Sequence, residues 1–132
     1  MIQVTTNTPA AVAANGALLF TAFKHRKGCT AQLNSGAIAL TRPGTYMITA
    51  NFSYLSTAAG TVTVTQSIDG TASTTDRASA TAAAGDIVSL TIPSLVTVRD
   101  EDCNCGNAVL VGYAVNLAGT LTAANAVVTK VV

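Results

Sequence analysis

The sequence predicts an all-β protein: a two-sheet antiparallel jelly-roll sandwich of about eight to ten strands, in one domain spanning residues 1–132. Three observations predict it. Turn signals are dense along the chain, among them Asn15-Gly16, Lys27-Gly28, Arg42-Pro43-Gly44, Asp69-Gly70, Gly85-Asp86 and Ala118-Gly119. The runs between them are short and often alternate apolar with polar residues, the period of a strand buried on one face. A helical period is sustained nowhere; even the Ala-rich stretch Ala78 to Ala84 is broken by Ser79 and Thr81 and runs into Gly85, which fits strand or loop.

The N-terminal strands are expected over Ile2 to Thr6, Ala17 to Phe23, Thr30 to Leu33 and Ala37 to Thr41. The turn Arg42-Pro43-Gly44 then opens the clearest strand, Thr45 to Leu55. Tyr46, Ile48, Ala50, Phe52 and Tyr54 fall on one face, and Thr45, Thr49, Asn51 and Ser53 on the other. Gly60 to Asp69 repeats the pattern with Val62, Val64 and Ile68 inward, and Asp69-Gly70 is a hairpin signal. Asp86 to Ile92 points Val88, Leu90 and Ile92 inward; Pro93 is expected to end or bend it, with Ser94 to Val98 resuming. Ala108 to Leu117 groups Val109, Val111, Tyr113, Val115 and Leu117, opposite the small face Leu110, Gly112 and Ala114. Ala126 to Val132 is the last strand, whose apolar end suggests docking in a sheet.

Composition narrows the function classes. Hydrophobic residues make up 49% but charged residues only 10%, where roughly 25% is usual. Alanine and threonine are about a third of the chain, so the surface is built largely from Thr, Ser, Asn and Ala. So few charges would leave a lone monomer prone to association, which suggests that identical subunits cover part of the surface. A net charge of +1 gives no basic field for nucleic acid, and no apolar run approaches the ~20 residues of a membrane-spanning helix. The start, Met1-Ile2-Gln3-Val4-Thr5-Thr6, does not have the basic and apolar regions of a secretory signal. The cysteines, Cys29, Cys103 and Cys105, are odd in number, which rules out a closed intrachain disulfide framework.

Chemistry-bearing clusters are few. Lys24-His25-Arg26-Lys27 is expected in a loop ending at Gly28, a candidate for docking on an acidic surface such as a capsid shell or a glycan, or simply a solvated loop. His25 and Cys29 have no orienting third partner, so no Cys-His nucleophile is assigned. Asp100-Glu101-Asp102-Cys103-Asn104-Cys105 is dense in oxygen and sulfur ligands, but its spacing matches no calcium loop and two thiolates do not complete a tetrahedral site. A polar loop, intersubunit disulfides through Cys103 and Cys105, and a metal site remain as readings, and no metal or cofactor is assigned. No phosphate loop, nucleophile elbow or catalytic carboxylate pair is found, and the chain is not expected to be an enzyme.

The stretches "TRPGTYMITANFSY", "GTVTVTQSIDGTAS", "LVTVRDEDC" and "VLVGYAVNLAGTLTAANAVVTKVV" together resemble the C1q/TNF-like trimeric jelly-roll family, from about Ala17 onward. The likeness is to its bacterial and bacteriophage branch, which includes spore-surface collagen-like domains and phage head-fibre or decoration proteins. The chain departs from the animal members in having no Gly-X-Y stalk and few of their buried aromatics. The resemblance implies a homotrimer around a threefold axis, with Tyr46, Ile48, Phe52, Tyr54 and Tyr113 as candidates for the core or the axis. It also implies a structural protein of a phage virion, assembled in the bacterial cytoplasm: a head fibre or capsid decoration protein docked on the major capsid protein or another virion protein. The alternative is a trimeric adhesin for host-surface glycans, with sheet-face Thr, Asn51 and the Lys24 to Lys27 loop as contacts.

Overall fold

Turn chemistry and period-two runs produce twelve strands in the computed structural model, which describes residues 2–6, 9–26, 31–34, 36–98 and 109–131. Every described pairing is antiparallel. In chain order the strands are β1 (Ile2–Thr6), β2 (Ala10–Val12), β3 (Ala17–Leu18), β4 (Ala22–Arg26), β5 (Ala31–Asn34), β6 (Ala37–Leu40), β7 (Gly44–Ser56), β8 (Gly60–Ile68), β9 (Thr71–Ala82), β10 (Ile87–Val98), β11 (Val109–Val115) and β12 (Gly119–Lys130). The first sheet runs β10-β7-β12-β1-β4, with β2 added to β12; the second runs β5-β6-β11-β8-β9, with β3 added to β11. Consecutive strands thus alternate between sheets along much of the chain, the pattern of a jelly roll.

The interior lies between the sheets. Ile48, Ala50, Tyr54, Val62, Val64, Val111 and Val115 are among its fully buried side chains. Three aromatic rings tie the layers together. Phe52 of the first sheet stands 5.1 Å from Tyr113 of the second, and Phe20 meets them at 5.9 and 6.1 Å, edge-on to Tyr113. Phe20 sits in the segment between β3 and β4, where the chain passes from one sheet to the other. The expected single strand Ala17 to Phe23 is therefore two strands, because Phe20 has to enter the core between two sheets.

Turns carry the strained backbone. Asp69 and Gly70 both have positive φ, 50° and 85°, the requirement of a two-residue hairpin turn. Asp69 is tied to β11 in both directions: its N–H donates to the Leu110 carbonyl at 2.8 Å, and its Oδ1 accepts from the Leu110 N–H at 2.8 Å. At the start of β7 the Tyr46 hydroxyl donates to the Arg42 carbonyl at 2.6 Å and closes the Pro-Gly corner.

Several expectations are corrected. β10 runs without a break through Pro93, which pairs with Thr49. It can do so because β10 is an edge strand with β7 on one side only, so a missing N–H on the other side breaks no ladder. β9 takes in Ala78 to Ala82 of the Ala-rich stretch as strand, leaving Ala83 and Ala84 in the turn, and reaches back to Thr71 through polar residues not assigned to a strand from the sequence. The last strand begins at Gly119 rather than Ala126; past its end, the Val131 N–H donates to the Thr45 carbonyl at 2.8 Å, and Val132 lies outside the described residues.

Candidate assembly face

The outward side of the first sheet is the surface with the most distinctive chemistry. Across β10, β7 and β12 its outward residues are Ile87, Ser89, Thr91, Pro93, Leu95 and Thr97; Thr45, Met47, Thr49, Asn51, Ser53 and Leu55; and Thr120, Ala123, Asn125, Val127 and Thr129. None of them is charged. The charged residues of the described segments stand elsewhere in the chain: Lys24 and Arg26 on β4 at the far edge of the same sheet, Arg42, Asp69 and Asp86 in turns, Asp76 and Arg77 on β9, and Lys130 at the end of β12. The outward threonines suit these strands because β-branched side chains fit a pleated surface.

Large apolar side chains stand out on this face. Leu95 is 66% exposed and lies directly across from Met47, 45% exposed; Ile87, 62% exposed, faces Leu55 at the other end of the same strand pair. Met47, Pro93 and Leu95 also wall a groove of about 540 Å³ that reaches Thr75 and Asp76 on β9. At the centre of the face is a depression of about 280 Å³, lined by Asn51, Ser53, Ser89, Thr91, Ala123 and Asn125. A polar row crosses it. The Thr91 hydroxyl donates to Asn51 Oδ1 at 2.8 Å, and Asn51 Nδ2 donates to Asn125 Oδ1 at 3.1 Å. The three residues are direct cross-strand neighbours on β10, β7 and β12. A register shift in β12 between Leu121 and Ala123 sits next to the row, where the Thr122 hydroxyl reaches Ser53 Oγ and carbonyl at 2.9 and 2.8 Å.

The residues singled out from sequence take the following places. Tyr46, Ile48 and Tyr54 are fully buried and Phe52 and Tyr113 nearly so, all inside the sandwich of a single chain. That is a core position within one chain. Lys24, His25 and Arg26 are not in a loop: they belong to β4, where His25 pairs with Gln3 and Arg26 with Ile2. The change of structure has a physical reason, since β4 ends the sheet and an edge strand tolerates charge. Lys27, Cys29, Cys103 and Cys105, with the acidic run before Cys103, lie outside the described residues. Among the described residues no group of three or more His, Cys, Asp or Glu is placed to hold a metal.

Sequence reasoning missed Gln66. It is fully buried on β8, and its Nε2 donates to Ser94 Oγ at 2.7 Å and to the Tyr113 hydroxyl at 3.0 Å, joining the sheets through a polar contact in an apolar core. Opposite Gln66, β9 spends Ser73 to Asp76, because Thr65 pairs with Arg77 and Ser67 with Ala72. Ser73 Oγ holds this bulge, accepting from the N–H groups of Thr75 and Asp76 at 3.2 and 3.0 Å. Burial pushes the Tyr113 phenol up to about 12, helped by the nearby Asp76 carboxylate and opposed by the bonds to Gln66 and Ser94. A buried, neutral tyrosine held this way serves packing.

No family model matches the chain, and no curated protein matches it in sequence. Solved structures do match in shape. The globular domain of the zebrafish complement 1qA protein superposes with a TM-score of 0.72 at 9% identity, covering 99% of this chain and 96% of that one. The Eiger TNF of S. frugiperda gives 0.73 at 8%, covering 99% and 92%. The vertex protein P5 of PRD1 gives 0.66 at 14%, covering 99% and 96%. Identity this low speaks for architecture alone, and with the strand order above it establishes that the chain has a two-sheet antiparallel jelly roll of the C1q/TNF type.

Proposed function

We propose that the protein is a homotrimeric structural component of a bacteriophage virion, a head fibre or capsid decoration protein that attaches to the capsid surface and displays itself there. The observation that carries the proposal is the uncharged outward face of β10, β7 and β12, with Leu95, Met47 and Ile87 standing exposed on it. Copies of one chain repel each other where like charges meet; a neutral face carries no such cost. Exposed apolar residues on it supply the burial that drives association. The jelly-roll architecture and its likeness to a viral vertex protein support a role in a particle shell. The proposed work is assembly and display rather than catalysis.

Two measurements test this. Sedimentation equilibrium of the purified chain should give three times the 13.3 kDa chain mass, and a monomer would sink the trimer. Purified virions should carry the protein through a density gradient at fixed stoichiometry. Recovery only from free lysate, with binding to cells or glycans, would replace the capsid role with that of an adhesin.

A further inference from the structure

The row Thr91–Asn51–Asn125 has a direction and two open ends. Each bond runs the same way: hydroxyl to carboxamide oxygen, then carboxamide nitrogen to the next carboxamide oxygen. Among the described residues, no other hydrogen bond uses the Asn125 amide nitrogen or the oxygen lone pairs of Thr91. The β12 end of the row therefore offers two N–H donors and the β10 end offers acceptor lone pairs. Both ends border the central depression of about 280 Å³, on a face that carries no charge. If that face is closed by another protein surface, the open ends lose water and must find partners, since an unpaired buried amide or hydroxyl is costly. The surface that supplies an acceptor for the donor end and a donor-bearing amide for the acceptor end is a second copy of the same row.

We infer that this row sets the register of the assembly: the Asn125 amide of one copy donates to Thr91 Oγ1 of the next, head to tail around the axis. The inference rests on the homotrimer proposed above and names the polar element that gives it a single geometry. A ring contact joins unlike patches on neighbouring subunits, and the two ends of the row are unlike. Apolar contacts through Met47 and Leu95 supply attraction without direction. The polar row supplies direction, as a lone buried asparagine does in a coiled coil.

The test compares Thr91→Val with Thr97→Val. Both are near-isosteric changes at exposed outward positions of the edge strand β10, so both chains should fold. Thr97 lies outside the row; its hydroxyl meets that of Thr45 at a long 3.4 Å. Native mass spectrometry and sedimentation equilibrium would follow the wild type, both single variants, Asn125→Leu, and Thr91→Val combined with Asn125→Leu. The expected result is a wild-type trimer, a trimer with Thr97→Val within about twofold of wild type, and at least a tenfold weaker or mixed-stoichiometry assembly with Thr91→Val. The combined variant should then be little worse than Thr91→Val alone, because both changes remove the same intersubunit bond. A wild-type trimer that tolerates Thr91→Val as well as Thr97→Val overturns the register role and leaves the homotrimer standing. A wild-type monomer or dimer overturns both.

Discussion

Among the described glycines Gly119 has the least room for a side chain, and the Gly119→Ala variant gauges how closely β12 packs on β7. Gly119 starts β12, paired with Ser56 on one side and Val12 on the other. A methyl group there would collide with the Leu55 carbonyl oxygen and stand 2.8 and 2.9 Å from Cε2 and Cζ of Tyr54. A backbone carbonyl in a paired strand cannot step aside cheaply. Tyr54 cannot either, since it is fully buried and its hydroxyl donates to the Leu117 carbonyl at 2.7 Å. Overpacking of this kind costs about 1–3 kcal/mol, and losing the Tyr54 bond adds about 1 kcal/mol. The expected loss is about 2–4 kcal/mol, which in urea lowers the unfolding midpoint by roughly 1–2 M at a slope of about 2 kcal/mol/M. Gly112→Ala is the comparison: its methyl would meet only the Ser67 hydroxyl, at 3.2 Å, and should cost under about 1 kcal/mol. Tyr54→Leu should make space, so that Gly119→Ala costs at least about 1 kcal/mol less in its presence. Additive losses, or a single-variant cost under about 1 kcal/mol, would refute the account of the close approach.

Other expectations follow from the core and the surface. Tyr113 has its phenol raised to about 12 by burial, above the value of about 10 in an unfolded chain. Its contribution is therefore complete below pH 10 and is lost as pH rises from 10 to 12, on the order of 2 kcal/mol; a Tyr113→Phe chain, followed by circular dichroism, should show a flatter stability profile over that window. Phe52→Ala removes the ring that contacts both Phe20 and Tyr113 and should cost about 3–5 kcal/mol in denaturant titration. Asp69→Ala gives up the side-chain bond to Leu110 and places alanine at φ 50°, for about 1–2 kcal/mol; Asp69→Asn should recover most of it. Leu95→Glu puts a charge in the apolar patch and should abolish self-association in sedimentation runs while leaving the unfolding free energy of the monomer within about 0.5 kcal/mol.

Sequence pattern reached furthest where alternation was strict. The inward set Tyr46, Ile48, Ala50, Phe52 and Tyr54 needs only period two to be seen, and the structure buries all of it. Pattern was weak at the sheet edges. Thr71 to Arg77 carries no apolar alternation because β9 has β8 on one side only and bulges opposite Gln66. Lys24 to Arg26 looks like a solvated loop for a similar reason, since an edge strand accepts charge that an inner strand would not. The polar groups were legible singly but not as sets. Asn51 stands out as a sheet-face residue, yet its partners Thr91 and Asn125 lie 40 and 74 positions away. Gln66 falls in an alternating strand at an inward position, and only the fold brings Ser94 and Tyr113 to its amide. The large inward side chains of β7 and β11 went to the core of each chain; the face left outside is uncharged and mixes hydroxyl and amide groups with Leu95, Met47 and Ile87, a combination that composition announces but periodicity cannot locate.

The neutrality of that face also bears on time and place. Charged partners draw each other in from a distance, and their encounter rates fall when salt screens the field. Surfaces without charge have no such guidance and meet at about 10⁵–10⁶ M⁻¹s⁻¹ whatever the ionic strength. The association proposed through β10, β7 and β12 would then be timed by how much protein has accumulated, not by the ions around it. An assembly closed by these strands would have no electrostatic attraction to lose when salt rises.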